Sequence, residues 1–137
     1  MKIYLDTNVL VSAFATRGLC ADILNTVLAE HQLIAGEVVL SEVRRVLRQK
    51  IRLSAGTVAE VEALLRQQAT IVSAAPRLVI KIRDVDDLPI LSEALAGAAD
   101  VLVTGDGDLL DIAARAPLPI MTPRGLWELL RSGPESK

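Results

Sequence analysis

Two segments of the chain, Ile3-Tyr4-Leu5 and Val101-Leu102-Val103, are apolar without alternation, and each runs directly into a polar, acidic motif. Continuous apolar runs of this length, as opposed to a period of two, predict strands of a parallel sheet covered on both faces. Between them the period changes. Ile23, Val27 and Leu28 recur at helical spacing within Cys20 to His31, a short strand is expected at Leu33-Ile34-Ala35, and a helix is expected from about Ser41, with Val43, Val46, Leu47 and Ile51 on its apolar face. Ser54 or Thr57 can cap the next helix, whose core face uses Val58, Val61, Leu64 and Leu65 and which stops before the β-branched strand Thr70-Ile71-Val72. Beyond Pro76, the stretch from Arg83 to Pro89 reads as a loop feeding a helix with Ile90, Leu91, Ala94 and Leu95 on one stripe, ending at Gly97. A short helix after Asp108, a strand at Pro119-Ile120-Met121 and a terminal helix containing Leu126, Trp127, Leu129 and Leu130 complete the order. Strands separated by helices imply right-handed crossovers and a three-layer α/β/α sandwich around a mostly parallel sheet.

A chain of 137 residues fits one compact domain, expected over 1–131, with a frayed tail at 132–137. Hydrophobic residues make up 51 % and the mean hydropathy is +0.40, yet no uncharged apolar run approaches the roughly 18 residues of a membrane span. Asp6 comes too early for a signal-peptide apolar region, and the one cysteine, Cys20, can form no internal disulfide, so a cytoplasmic protein without a membrane partner is expected. His31, the only histidine, closes a helix away from any acidic motif, which argues against histidine-dependent catalysis. The net charge of −2 excludes a broadly basic coat for nucleic acid. A local patch remains, because five of the fifteen basic residues, Arg44, Arg45 and Arg48 among them, lie between positions 44 and 52 with no acid between them. Its ordinary reading is a solvated helix face; its position just after Glu42 also suits contact with RNA phosphates.

Each prominent acid has an ordinary structural use. Asp6 can form an Asx turn, Glu42 can complement a helix dipole in a first turn, Asp87 can be an N-cap before Leu88-Pro89, and Asp106 or Asp108 can cap the helix through Leu109-Leu110. Their joint placement says more. Two acids end neighbouring central strands and two belong to helices expected to start at the same edge, so all converge beyond the carboxyl ends of the strands, where open α/β sheets bind ligands. Carboxylates gathered in one cleft raise one another's pKa unless a cation neutralises them, and a hard divalent ion with oxygen ligands suits phosphodiester hydrolysis.

Leu5-Asp6-Thr7-Asn8-Val9-Leu10, Ser41-Glu42-Val43, Asp84-Val85-Asp86-Asp87 followed by Ile90-Leu91, and Val103-Thr104-Gly105-Asp106-Gly107-Asp108-Leu109-Leu110 together resemble the PIN-domain family, in particular the bacterial toxin components of toxin–antitoxin pairs of the VapC type. The resemblance runs from Lys2 to the helix around Trp127. It implies an acidic site of Asp6, Glu42, Asp87 and Asp106, with Asp108 as an auxiliary acid and Asn8 and Thr104 as polar groups orienting the first and last acids. Asp87 stands three residues before Ile90, as in the family's helix start; Asp86 and Asp84 are the neighbouring alternatives. The implied activity is a metal-dependent endoribonuclease, often a homodimer and often silenced by a co-expressed antitoxin. On this reading Asp6, Asp87 and Asp106 hold Mg²⁺ or Mn²⁺ while Glu42 positions or deprotonates the attacking water.

Other acid-using folds fit less well. A phosphoacceptor domain needs a pair of acids after its first strand and a lysine after its last, where this chain has one Asp6 and Thr122-Pro123-Arg124; a haloacid-dehalogenase-like phosphatase needs Asp-x-Asp where this chain has Asp6-Thr7-Asn8. No glycine-rich loop ends in Lys-Ser or Lys-Thr. The remaining alternative is a catalytically silent PIN-like module that binds RNA or protein and keeps its acids as caps.

Overall fold

The computed structural model describes residues 1–73 and 87–132. Five strands, β1 (Lys2–Leu5), β2 (Gln32–Gly36), β3 (Thr70–Val72), β4 (Val101–Val103) and β5 (Ile120–Met121), form one sheet in the order β3-β2-β1-β4-β5, with every pairing parallel. The helices among the described residues are α1 (Thr7–Ala15), α2 (Leu19–Glu30), α3 (Glu37–Gln49), α4 (Ala55–Gln68), α5 (Leu88–Ala96), α6 (Gly107–Asp111) and α7 (Pro123–Ser132). This is the α/β sandwich expected from the hydropathy pattern. None of these helices is long and apolar enough to cross a membrane.

The chain winds outward from β1 through β2 to β3 and then returns to the other side of β1 for β4 and β5. The reversal falls between β1 and β4, which is where crevices open at the carboxyl edge of such sheets. Those two strands are also the best covered. Ile3, Tyr4, Leu5, Val101, Leu102 and Val103 are all buried, and at about 1.5–3 kcal/mol for each large apolar side chain removed from water they anchor the sheet centre. The register Ile3↔Val101, Tyr4↔Leu102, Leu5↔Val103 is continued by the Asp6 N–H, which donates to the Val103 carbonyl at 2.9 Å. Asp6 and Thr104 therefore leave the sheet side by side.

Two local expectations are corrected. The helix expected from about Ser41 starts at Glu37, so Glu42 lies in its second turn and cannot complement the dipole of a first turn. The early start carries no local signal because the N-cap is Gly36, whose side makes no capping bond; the first N–H groups are instead met by Glu93 from α5, with Val38 N donating to Oε2 at 2.6 Å and Val39 N to Oε1 at 3.3 Å. Ile51 and Leu64, expected on the apolar faces of their helices, are instead 41 % and 38 % exposed, and Ile51 lies beyond the end of α3. Other details agree: Ser54 caps α4 through a bond from Thr57 N at 3.1 Å, His31 closes α2, and Trp127 packs half-buried against the core.

Candidate acidic site at the carboxyl edge

The site is assembled from β1, β4 and the helices that follow them. Asp6 is the N-cap of α1: its Oδ1 accepts from Thr7 N at 2.7 Å, while Oδ2 accepts from the Thr104 hydroxyl at 2.7 Å and from Asn8 Nδ2 at 3.2 Å. Only 5 % of Asp6 is exposed. Burial pushes its carboxyl above the ordinary value; the bonds from Thr104 and Thr7 pull it down, and the charges of Glu42 and Asp106 push it up again. Electrostatically, Asp6 is therefore an acid held near others, with donors supplied to offset part of its desolvation.

Thr104 links the two strand ends. Its hydroxyl donates to Asp6 and accepts from Asp106 N at 2.9 Å, and Asn8 ties the same loop by accepting from Gly105 N at 2.9 Å. Gly105 sits close against this contact, where an added Cβ would meet Asn8 Oδ1 at 3.4 Å. Asp106 caps the short α6, with Oδ1 accepting from Asp108 N at 2.9 Å. Asn8 and Thr104 are thus both bonded to the Asp6 carboxylate and to the loop that carries Asp106. Glu42 reaches the cluster from α3, and its Oε1 accepts from the Thr7 hydroxyl at 2.8 Å.

Asp87 occupies the N-cap position of α5 and makes no side-chain capping bond, with Pro89 in the first turn. Asp84 and Asp86 lie outside the described residues. Asp87, Asp106 and Asp108 each offer a carboxylate oxygen, and these oxygens lie within 4.8 Å of one another. Three hard oxygen donors at this spacing suit Mg²⁺ or Mn²⁺. The close triad includes Asp108, expected only as an auxiliary acid, whereas Asp6 stands beside it with both oxygens already accepting from protein donors.

Asp6, Glu42, Asp87 and Asp106 line one cleft of about 460 Å³. Its other wall is made by Val11, Ser12, Ala15 and Thr16 of α1 with its C-cap, and by Val46, Lys50 and Ile51 at the end of α3. The arginine patch is placed differently. Arg44 pairs with Glu62 at 2.8 Å and the Arg48 Nη1 donates to the Leu53 carbonyl at 3.0 Å, while Arg45 is exposed; none of the three lines this cleft. Arg66 completes the surface network by donating to Glu37 and Glu62; its bond holds the Glu37 carboxyl below the ordinary range, and the bonds from Arg44 and then Arg66 do the same for Glu62.

Glu93 is a supporting residue that sequence reasoning passed over. It is 3 % exposed and accepts from the Tyr4 hydroxyl at 2.7 Å as well as from the two N–H groups of α3. Burial, and then the Glu93 charge, push the Tyr4 phenol well above its usual value, which keeps it a donor. The available signal was an acid three residues after Ile90, on the buried stripe of an otherwise apolar helix.

A family model described as PIN domain matches residues 2–108. Among solved structures, VapBC2 from Rickettsia felis bound to a DNA fragment from its promoter contains a similar fold, with a TM-score of 0.61, 19 % sequence identity, and 89 % of this chain and 98 % of that chain covered. No curated protein matches the chain.

Proposed function

The chain belongs to the PIN-domain family, and on that premise we propose that it is a metal-dependent endoribonuclease acting as the toxin of a toxin–antitoxin pair. The observation that carries the reading is the convergence of Asp6, Glu42, Asp87 and Asp106 on one cleft at the switch point of the sheet. With Asp108 added, the donor set is all carboxylate, which suits a hard divalent cation.

Asp87, Asp106 and Asp108 would hold Mg²⁺ or Mn²⁺, with Asp6 supplying a further carboxylate from the same cleft. A bound divalent ion supplies charge for the phosphoryl oxygens and lowers the pKa of water. The residues themselves do the rest. Thr104 and Asn8 fix the Asp6 carboxylate and the Asp106 loop, and Thr7 fixes Glu42, whose carboxylate accepts the proton of the attacking water. A phosphate carries its own negative charge, which these carboxylates would repel unless a cation neutralised them.

The partners proposed with this reading are an RNA substrate, a co-expressed antitoxin protein and a second copy of the chain, in the cytoplasm. The complex named VapBC2 supports the antitoxin part, since it shares this fold. One observation favours a silent binding module instead, namely that Asp6 and Asp106 both serve as helix caps. Incubation of the protein with total cellular RNA separates the two. The nuclease reading expects new ends, with Mn²⁺ or Mg²⁺ only, that vanish in Asp106→Asn; intact RNA with Mn²⁺ bound nowhere on the protein favours the module.

A further inference from the structure

Glu42, Val46 and Lys50 succeed one another at four-residue intervals along α3 and its C-cap, and all three line the cleft. Residues spaced in this way stack on one side of a helix. Lys50 is the one basic residue among the described residues lining the cleft, and among those residues it enters no ion pair, in contrast to Arg44 on the same helix. Ile51 beside it is 41 % exposed, and with Val46 and Val11 it adds aliphatic side chains to the cleft lining. A cleft with carboxylates at one end and a lone ammonium over aliphatic side chains at the other is polarised along its length.

Resting on the nuclease reading above, we infer that Lys50 and Ile51 form a subsite for the RNA strand, separate from the acidic centre, in which Lys50 binds a non-scissile phosphate and Ile51 packs against a neighbouring base. Eight residues of helix separate Glu42 from Lys50, about 12 Å along the axis. That distance exceeds a single phosphodiester, so Lys50 addresses a phosphate further along the strand than the one being cut. Substrate length then matters: a dinucleotide leaves the subsite empty and a longer strand fills it. The phosphate contact is electrostatic and the base contact is apolar, which makes the two residues separable by salt.

The test uses fluorescein-labelled phosphorothioate oligoribonucleotides, a dimer and an octamer, titrated with the whole protein in Ca²⁺ over a range of salt. The octamer is expected to bind more tightly than the dimer. Lys50→Gln should weaken octamer binding up to about fivefold, leave the dimer unaffected, and make the slope of log affinity against log salt shallower by about 0.7; Lys50→Arg should restore it. Ile51→Ala should weaken the octamer with an unchanged slope. Lys2→Gln, the same charge change at the opposite edge of the sheet, should alter nothing. An unchanged slope in Lys50→Gln, equal binding of dimer and octamer, or no RNA binding at all overturns the subsite. Cleavage of the unmodified octamer in Mn²⁺, run in parallel, reports on the nuclease reading alone: binding with these dependences but no cleavage sinks the nuclease and keeps the subsite.

Discussion

Gly36→Ala places a methyl group where Glu93 keeps its carboxylate: a Cβ at position 36 would meet the Glu93 Cδ and both carboxylate oxygens, with Oε1 at 2.6 Å. The Gly36 backbone is extended (φ −154°, ψ 177°) and open to any residue, so the whole penalty is steric. Glu93 must then give up its bonds from Tyr4 at 2.7 Å and Val38 at 2.6 Å, and the weaker one from Val39 at 3.3 Å. Hydrogen bonds to a charged group contribute about 1.5–3 kcal/mol each, and the two short ones together set a loss of about 3–6 kcal/mol. Against a total stability of order 5–15 kcal/mol that is a large fraction, and the melting temperature should fall by on the order of 10–20 °C. Glu93→Ala removes the same bonds and should cost a similar amount. The decisive variant is the double one. If the two residues compete for one space, Gly36→Ala should add less than about 1 kcal/mol once Glu93 is already alanine. Urea melts of the wild type, both single variants and the double variant supply the cycle. Additivity within about 0.5 kcal/mol would refute the reasoning, since it would mean that Gly36 and Glu93 act independently.

Other consequences can be checked separately. In metal-free protein, the Asp6 carboxyl titrates above its unfolded value, chiefly through burial, so the folded state holds that proton more tightly; this contribution to stability is complete below the unfolded value and is lost as pH rises through the folded one. Urea melts in chelator between about pH 3 and pH 7 should show that component in the wild type and not in Asp6→Asn. Thr104→Val removes a bond that lowers the Asp6 value and should make the loss steeper while weakening Mn²⁺ binding, whereas Thr104→Ser should preserve both. Saturating Mn²⁺ at a hundred times its dissociation constant should stabilise the wild type by about 2.7 kcal/mol, and Asp87→Asn, Asp106→Asn and Asp108→Asn should each reduce that gain. Ser54→Ala should cost about 1 kcal/mol through loss of the α4 cap and leave RNA cleavage unchanged.

The parts of the fold that could be read along the chain are those encoded locally. Ile3-Tyr4-Leu5 and Val101-Leu102-Val103 announce buried parallel strands because both faces are apolar, and Ser54 announces α4 because its own hydroxyl makes the cap. The start of α3 was misread by four residues because its cap comes from Glu93, far away in sequence, and no residue near Gly36 records it. Asp6, Asn8, Glu42, Asp87, Thr104, Asp106 and Asp108 all lie in the motifs singled out along the chain, and the structure brings them to one edge. Their division of labour was not legible. That Asp108 closes on Asp87 and Asp106 while Asp6 is engaged by Thr104 and Thr7 depends on the turn between β4 and α6, which spacing does not specify. The arginine patch shows what charge density leaves open: Arg44 pairs with Glu62 and Arg48 with the Leu53 carbonyl, and the basic residue that lines the cleft among those described is Lys50.

On the proposed reading the acids of this cleft hold a divalent cation on which RNA cleavage depends. A Mn²⁺ titration followed by electron paramagnetic resonance, with single-turnover cleavage of an RNA measured on the same samples, tests it most directly. Cleavage is expected to rise in step with occupancy of a site that is absent from Asp106→Asn. Mn²⁺ binding that survives in Asp106→Asn, or cleavage that persists in chelator, would contradict it.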